Sequence, residues 1–390
     1  MCLFGLSVSC IHVSANDRPL KVFILAGQSN MQGHAQVRTF EHIGMDPKTL
    51  PMLKEMTDAD GTPRVCDNVW ISSIGSADAE QFGKLTVGFG AKPRGPKIGP
   101  EFTFGIYMAK ALNEPVLIVK TAWGGKSLHT DFRPPSAGPF VFKAGQLEQL
   151  KKQNKDIAKA KADRVEATGH YYRLMLKHVH HVLADIKRVY PDYDASHGYE
   201  LAGFVWFQGW NDMVDRGVYP NRDQDGGYDE YSQVMGHFIR DVRKELDEPK
   251  LPFVIGVLGV NGPVDQYPPD QKRHTKTHQS FRDAMAAPAS LPEFEGNVTA
   301  VLTEKYWDME LSALRARDAK VKREVKKLAK QNSNRREIDT MQTEMRAKEF
   351  TASELAILEK GVSNAEYHYL GCAKIIAQIG KGFAEALANP

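Results

Sequence analysis

The chain has 390 residues, 42% of them hydrophobic and 25% charged. That is an ordinary globular composition with ample material for a core. A formal net charge of +3 is close to neutral for this size and excludes the strongly basic footprint of a nucleic-acid binder. No run of 18 apolar residues occurs, so no transmembrane helix is predicted and no stable membrane insertion is expected.

Residues 1–15 are apolar with small residues at their end, Val13-Ser14-Ala15, followed by polar Asn16-Asp17-Arg18. This pattern reads as a signal peptide and predicts a secreted or periplasmic protein. A basic leading region is missing, and an ordinary strand or a misplaced start is the alternative. With cleavage after Ala15, two of the four cysteines remain, Cys66 and Cys372. An oxidising compartment would allow one disulfide.

Five apolar runs read as buried parallel strands: Val22–Ala26, Pro115–Thr121, Leu201–Phe207, Phe253–Val260 and Val298–Thr303. They are short, rich in Val, Ile, Leu and Phe, and lack strict alternation, as strands covered on both faces do. Helical patterns separate them at Glu101–Leu112, Tyr171–Val189, Tyr228–Leu246 and Thr277–Ala286. Ala373–Leu387 closes the chain, with Ile375, Ile376, Ile379, Phe383 and Leu387 on one stripe. Strands alternating with helices predict a parallel sheet with right-handed crossovers, a flavodoxin-like three-layer α/β/α sandwich with five strands. No Pro/Gly/Ser-rich linker divides the chain.

Two segments read as additions to that frame. Residues 36–97 are Gly/Pro-rich and weakly periodic apart from Val69-Trp70-Ile71, and predict loops or a small hairpin near the site. Residues 311–358 are dense in Lys, Arg and Glu with spaced Leu and Val. They predict a charged, largely solvated helical hairpin turning at Gln331-Asn332-Ser333-Asn334. The main domain then runs over 16–310 and resumes over 359–390.

The strand Val22–Ala26 ends in Gly27-Gln28-Ser29-Asn30-Met31. Ser29 therefore lies at the carboxyl edge of the sheet, where open α/β folds bind ligands. A strand followed by a polar turn accounts for this segment alone. Matching residues at later strand ends argue for a site. The strand Pro115–Thr121 runs into Ala122-Trp123-Gly124-Gly125, and Leu201–Phe207 into Gln208-Gly209-Trp210-Asn211-Asp212. A serine needs a base to take its proton, and glycine amides and a carboxamide are suitable oxyanion donors. His368 stands between two tyrosines just before the last helix. His34 and His129 lie near the strand ends and are candidates for substrate contacts, and the aromatics Trp70, Trp123 and Trp210 for lining a cleft. Glu101 opens a helix, where an acid stabilises the dipole. The histidines at 178, 180 and 181 do not make a convincing ligand set. No cysteine/histidine metal spacing, Walker sequence or dinucleotide fingerprint occurs, so no metal or cofactor is implied.

Gly27-Gln28-Ser29-Asn30-Met31 resembles the first block of the SGNH (GDSL-type) hydrolases. Its wording is that of the carbohydrate-esterase branch, the acetylxylan esterases of carbohydrate esterase family 6 and the sialate O-acetylesterase-like proteins. Three further blocks fit in order: Thr121–Leu128, Trp206–Asp212 and Tyr367–Gly371. The resemblance implies Ser29 as nucleophile, His368 as base, and an oxyanion hole from Gly125 (or Gly124) and a carboxamide. Alignment with the Trp-x-Gln-Gly-Glu wording of that branch favours Gln208; the literal Gly-x-Asn-Asp of SGNH enzymes at large points to Asn211. The family glutamate is replaced by Trp210, and the usual acid three residues before the histidine by Ala365. Glu366, Asn364 and Asp308 lie off that spacing. A Ser–His dyad with an unplaced helper is therefore expected, since the acid orients the imidazole and need not sit at a fixed offset.

The implied activity is removal of acetyl groups from a carbohydrate through an acyl-enzyme. The alternatives are an esterase of the same fold acting on lipid or other small esters, and a non-catalytic carbohydrate-binding or interaction protein.

Overall fold

The first strand, β1 (Leu20–Gly27), sits at the centre of the sheet, with Val22–Gly27 buried on both faces. In this computed structural model, residues 18–75, 79–329 and 334–388 are described. The segment read as a leader lies outside them. The other strands are β2 (Val69–Ile74), β3 (Gln81–Lys84), β4 (Val116–Ala122), β5 (Tyr199–Phe207), β6 (Phe253–Val257) and β7 (Val298–Leu302). Their order is β3-β2-β4-β1-β5-β6-β7. All neighbours are parallel except the β2–β3 hairpin.

The sheet therefore has seven strands, six of them parallel, where five were expected. The hairpin comes from the segment read as loops or a small hairpin, and it joins the main sheet beside β4. Val69-Trp70-Ile71 extends into Ser72-Ser73, and β3 is the polar stretch Gln-Phe-Gly-Lys, so neither carries a sustained apolar run. Without the hairpin, the order is second, first, third, fourth, fifth. That is the flavodoxin-like doubly wound order, whose ligand crevice lies at the switch point between the first and third of these strands. Here those strands are β1 and β5.

Gly27 pairs in register with Ala122 of β4 and Phe207 of β5. The three strands thus end level, and the segments following them meet at the switch point. Gly27 has φ +155°, and a Cβ there would stand 2.2 Å from the Phe207 carbonyl oxygen. Only glycine lets the chain turn there toward Ser29.

Two helices pack together on one side of the sheet: α2 (Glu101–Leu112) and the last helix, Ala373–Ala388. Four of the five residues of the predicted apolar stripe of the last helix are buried, Leu387 being partly exposed. At Gly380 a Cβ would lie 2.1 Å from the Pro100 carbonyl, so glycine sets the close approach of the two helices. The helices His170–Ala184, Asp229–Glu245 and Thr275–Ala286 fall within a few residues of their predicted bounds.

The charged insertion has three helices among the described residues, Met309–Leu328, Arg335–Glu349 and Ala352–Gly361, rather than a two-helix hairpin. Residues 331–333 of the predicted turn lie outside the described residues. Leu314, Val321, Val325, Phe350 and Leu358 form a small core of their own. The extra break follows from Thr351, which accepts the Glu354 N–H at 3.2 Å while Glu354 Oε2 accepts the Thr351 N–H at 2.8 Å. This reciprocal cap starts a new helix.

Cys66 and Cys372 are both buried free thiols. Burial pushes each thiol up to about 12. Among the described residues, no helix is long and apolar enough to cross a membrane.

Candidate active site

Ser29 opens a single turn of helix, α1 (Ser29–Gln32), directly after β1. It is 7% exposed. Its Oγ accepts a hydrogen bond from Gln28 Nε2 at 3.3 Å. Gly124 adjoins it: a Cβ on Gly124 would lie 3.9 Å from the Ser29 Cβ. Gly125 has φ +74°, and a Cβ there would meet nothing within 4 Å, so that glycine faces open space beside the serine loop.

Gln28 organises the third strand end. Its Oε1 accepts the backbone N–H groups of Gly209 at 3.1 Å and Asn211 at 3.3 Å. Those groups only donate, so they fix the orientation of the Gln28 amide. Its Nε2 therefore faces Ser29 Oγ and, at 3.1 Å, Asn211 Oδ1. The Asn211 oxygen is turned to Gln28, and its Nδ2 makes no hydrogen bond among the described residues. Gln208 is different. It is 1% exposed, and its Nε2 faces Gln28 Oε1 at 3.1 Å, the Lys126 carbonyl at 3.0 Å and Asp212 Oδ2 at 2.6 Å. An amide nitrogen has two hydrogens, and three protein acceptors already compete for them.

Asp212 is buried and accepts the N–H groups of Leu128 at 2.8 Å and His129 at 3.0 Å. Burial pushes its carboxyl up, although these donors and Gln208 oppose the shift. The residue ties the glycine loop to the end of β5.

His368 lies in the turn Glu366–Gly371, which packs against α1. Tyr369 and Leu370, immediately after it, have φ +51° and +63°. Tyr369 is fully buried, and its hydroxyl meets the Gly259 N–H at 2.8 Å and Thr303 Oγ1 at 2.7 Å. These bonds hold the strained turn and so position the histidine. No Ser29–His368 hydrogen bond forms, a common condition of catalytic pairs before substrate arrives. His368 Nδ1 is 3.1 Å from Asn364 Oδ1. Its ring stacks on that of His34 at 3.8 Å between centroids and 3° between planes. Burial, then the Lys97 charge, lowers the His368 imidazole to about 4. Burial, His368, Lys97 and Lys120 lower His34 to about 3.

Neither carboxylate considered as a helper reaches His368. Glu366 is exposed and pairs with Arg315 of the insertion at 2.9 Å. Asp308 caps the helix Met309–Leu328 and binds His42 at 2.9 Å and Lys374 at 3.0 Å. Burial alone would raise its carboxyl, but His42, the Leu311 N–H and Lys374 hold it well below the usual range. His129 is buried and engaged by Glu230 at 2.7 Å, which leaves it a structural part. Trp70 and Trp123 are core residues. Trp210 is half-buried beside Tyr367, with ring centroids 5.6 Å apart, and Tyr367 contacts the His368 ring at 4.4 Å.

Glu101 and Lys120 form a buried pair at 2.7 Å, with Lys120 also donating to the Gln32 and Phe89 carbonyls at 2.9 and 3.0 Å. Glu101 Oε1 accepts the Gly99 N–H at 2.8 Å. The ammonium thus anchors the end of α1. Glu101→Ala strands a buried charge and is expected to lose about 3–5 kcal/mol of stability. Urea unfolding measures it, and an unchanged midpoint would show that the pair is not holding this corner.

The fold and these strand ends define a doubly wound α/β protein with a serine, two glycines, a carboxamide and a histidine at its switch point. A family model described as carbohydrate esterase, sialic acid-specific acetylesterase, matches residues 19–291. The chain belongs to that carbohydrate esterase family and is an esterase hydrolase by membership. Two solved structures are similar. One is a protein from Arabidopsis thaliana, 17% identical, covering 73% of this chain and 86% of its own, TM-score 0.39. The other is a carbohydrate acetylesterase from Xanthomonas citri, 12% identical, covering 72% of this chain and 49% of its own, TM-score 0.36. No curated protein matches.

Proposed function

We propose that the protein is a serine-dependent carbohydrate O-acetylesterase. The observation that carries this reading is the convergence of Ser29, Gly124, Gly125 and Asn211 on one edge of the sheet, with His368 packed beside them. Ser29 Oγ attacks the acetyl carbonyl while His368 Nε2 takes its proton. The oxyanion is held by the Ser29 and Gly125 N–H groups and by a carboxamide. His368 then protonates the departing sugar oxygen, and water, activated by the same imidazole, releases acetate from Ser29.

For the carboxamide we choose Asn211 rather than Gln208. Its Nδ2 makes no hydrogen bond among the described residues, whereas the Gln208 nitrogen is committed inside the protein. Asn211→Ala is expected to lower kcat about a hundredfold with little change in KM. Gln208→Ala is expected to lower stability as well, because it opens the network beneath Asp212. Equal stability with a larger kcat loss in Gln208→Ala would reverse the assignment.

The test of the function is acetate release from acetylated xylan, O-acetylated sialic acid and a short aryl acetate. Hydrolysis of the aryl acetate and at least one sugar acetate is expected, with activity falling as the acyl chain lengthens. Folded protein that binds these sugars and hydrolyses none of the three would make it a binding protein. A preference for long acyl chains would make it a lipid esterase.

A further inference from the structure

A histidine base works only in one tautomer. Its Nε2 must carry a lone pair toward the serine, so its Nδ1 must carry the hydrogen. In most serine triads a carboxylate enforces this, and none touches His368 among the described residues. We propose that Asn364 takes the place of the triad carboxylate, a neutral positioning residue whose Oδ1 holds His368 as the Nδ1–H tautomer while its Nδ2 holds the stacked His34. The inference rests on the serine-esterase reading of the site.

The side-chain orientation follows from donors that cannot reverse. Asn364 Oδ1 lies 2.7 Å from the Ala365 backbone N–H, which only donates. The oxygen is therefore the atom at 3.1 Å from His368 Nδ1, and that nitrogen must bear hydrogen. The other end of the amide, Nδ2, lies 3.4 Å from His34 Nδ1. His34 must then accept there and carry its hydrogen on Nε2. The Asn364 backbone is fixed in turn, its N–H bonded to the Leu370 carbonyl at 2.9 Å. During acylation the Ser29 proton moves to His368 Nε2 and the Nδ1 hydrogen stays in place. No proton passes to the amide, whose oxygen is too weak a base to take one.

The groups that bear on His368 are His34 on its ring face, Lys97, the adjacent Tyr367, and the Glu366–Arg315 ion pair at the surface. Lys120 acts on His34. With an amide behind the imidazole, nothing anionic in contact favours its charged form. The base should stay neutral, and the enzyme active, to lower pH than a carboxylate triad allows.

The experiment compares Asn364→Ala and Asn364→Asp with wild type, using aryl acetate hydrolysis across pH. Asn364→Ala should lower kcat on the order of a hundredfold or more, with KM little changed, because the tautomer is no longer held. Asn364→Asp should restore most of the neutral-pH rate and move the acid limb up by about one pH unit or more, since a carboxylate stabilises imidazolium. A moved limb shows that residue 364 bears on the imidazole, and the kcat loss in Asn364→Ala at unchanged KM, recovered in Asn364→Asp, separates a positioning role from a purely structural one. If Asn364→Ala does not fold, Asn364→Leu, which removes the acceptor at similar volume, is read in its place. An unmoved limb in Asn364→Asp, or full activity in Asn364→Ala, overturns the proposal. Ser29→Ala run alongside separates the two failures: if it is inactive, the serine reading stands without Asn364; if it is active, the reading itself fails.

Discussion

Ser29→Ala is expected to abolish turnover, lowering kcat on the order of a million-fold, as loss of the nucleophile does in other serine triads. The turn that presents the serine is built without its hydroxyl. Gly27 threads the chain past Phe207, and Lys120 anchors the Gln32 carbonyl. The hydroxyl itself accepts one long bond, 3.3 Å from Gln28. Its removal should leave the fold and the unfolding midpoint nearly unchanged, since surrounding contacts are made by backbone and neighbours. Steady-state hydrolysis of an aryl acetate beside urea unfolding measures both. Low activity accompanied by a large loss of stability would make Ser29 a packing residue instead.

The second large effect is expected at His368. His368→Ala should lower kcat by at least about ten-thousandfold, because among the described residues no other base beside the serine loop has a nitrogen free to take its proton. His34 is stacked on His368, but its Nδ1 is already engaged by Asn364. The pH dependence follows from the lowered imidazole. Only neutral His368 accepts the proton, so activity is present above its value of about 4 and is lost as pH falls through it. An ordinary histidine would place that limb near pH 6.5. Glu366→Gln should keep at least about a tenth of the wild-type rate, since its carboxylate is exposed and paired with Arg315. A Glu366→Gln enzyme as inactive as His368→Ala would return the carboxylate to the site.

Much of the architecture was legible because the buried strands advertise themselves. β1, β4 and β5 carry the apolar runs Val22–Ala26, Val116–Val119 and Leu201–Phe207, each followed by Gly-Gln-Ser, Trp-Gly-Gly or Gln-Gly segments, and that is what placed Ser29, Gly124–Gly125 and Gln208–Asn211 at one edge. A small hairpin around Val69-Trp70-Ile71 was legible, but its joining of the main sheet was not, because Ser72, Ser73 and Lys84 break the apolar pattern of a covered strand. The third helix of the insertion did carry a signal, Thr351-Ala352-Ser353-Glu354, a capping-box sequence. The choice between Gln208 and Asn211 was not legible from spacing. It depends on which amide nitrogen the backbone of Gly209 and Asn211 leaves facing outward, a matter of orientation around Gln28. Asn364 was hidden for a related reason. An amide four residues before the histidine has no special pattern, and the two meet through the tight turn closed by the His368 N–H on the Ala365 carbonyl at 3.1 Å.

The central claim is that one serine carries the acyl group, and covalent trapping tests it most directly. Purified protein is treated with a serine-directed alkyl phosphonate and mapped by peptide mass spectrometry, with acetate release from an acetylated sugar followed in parallel. The account predicts a single adduct, on the peptide containing Ser29, appearing in step with loss of acetate release and absent from Ser29→Ala. Full acetate release by Ser29→Ala, or inactivation with the adduct on another residue, would contradict it.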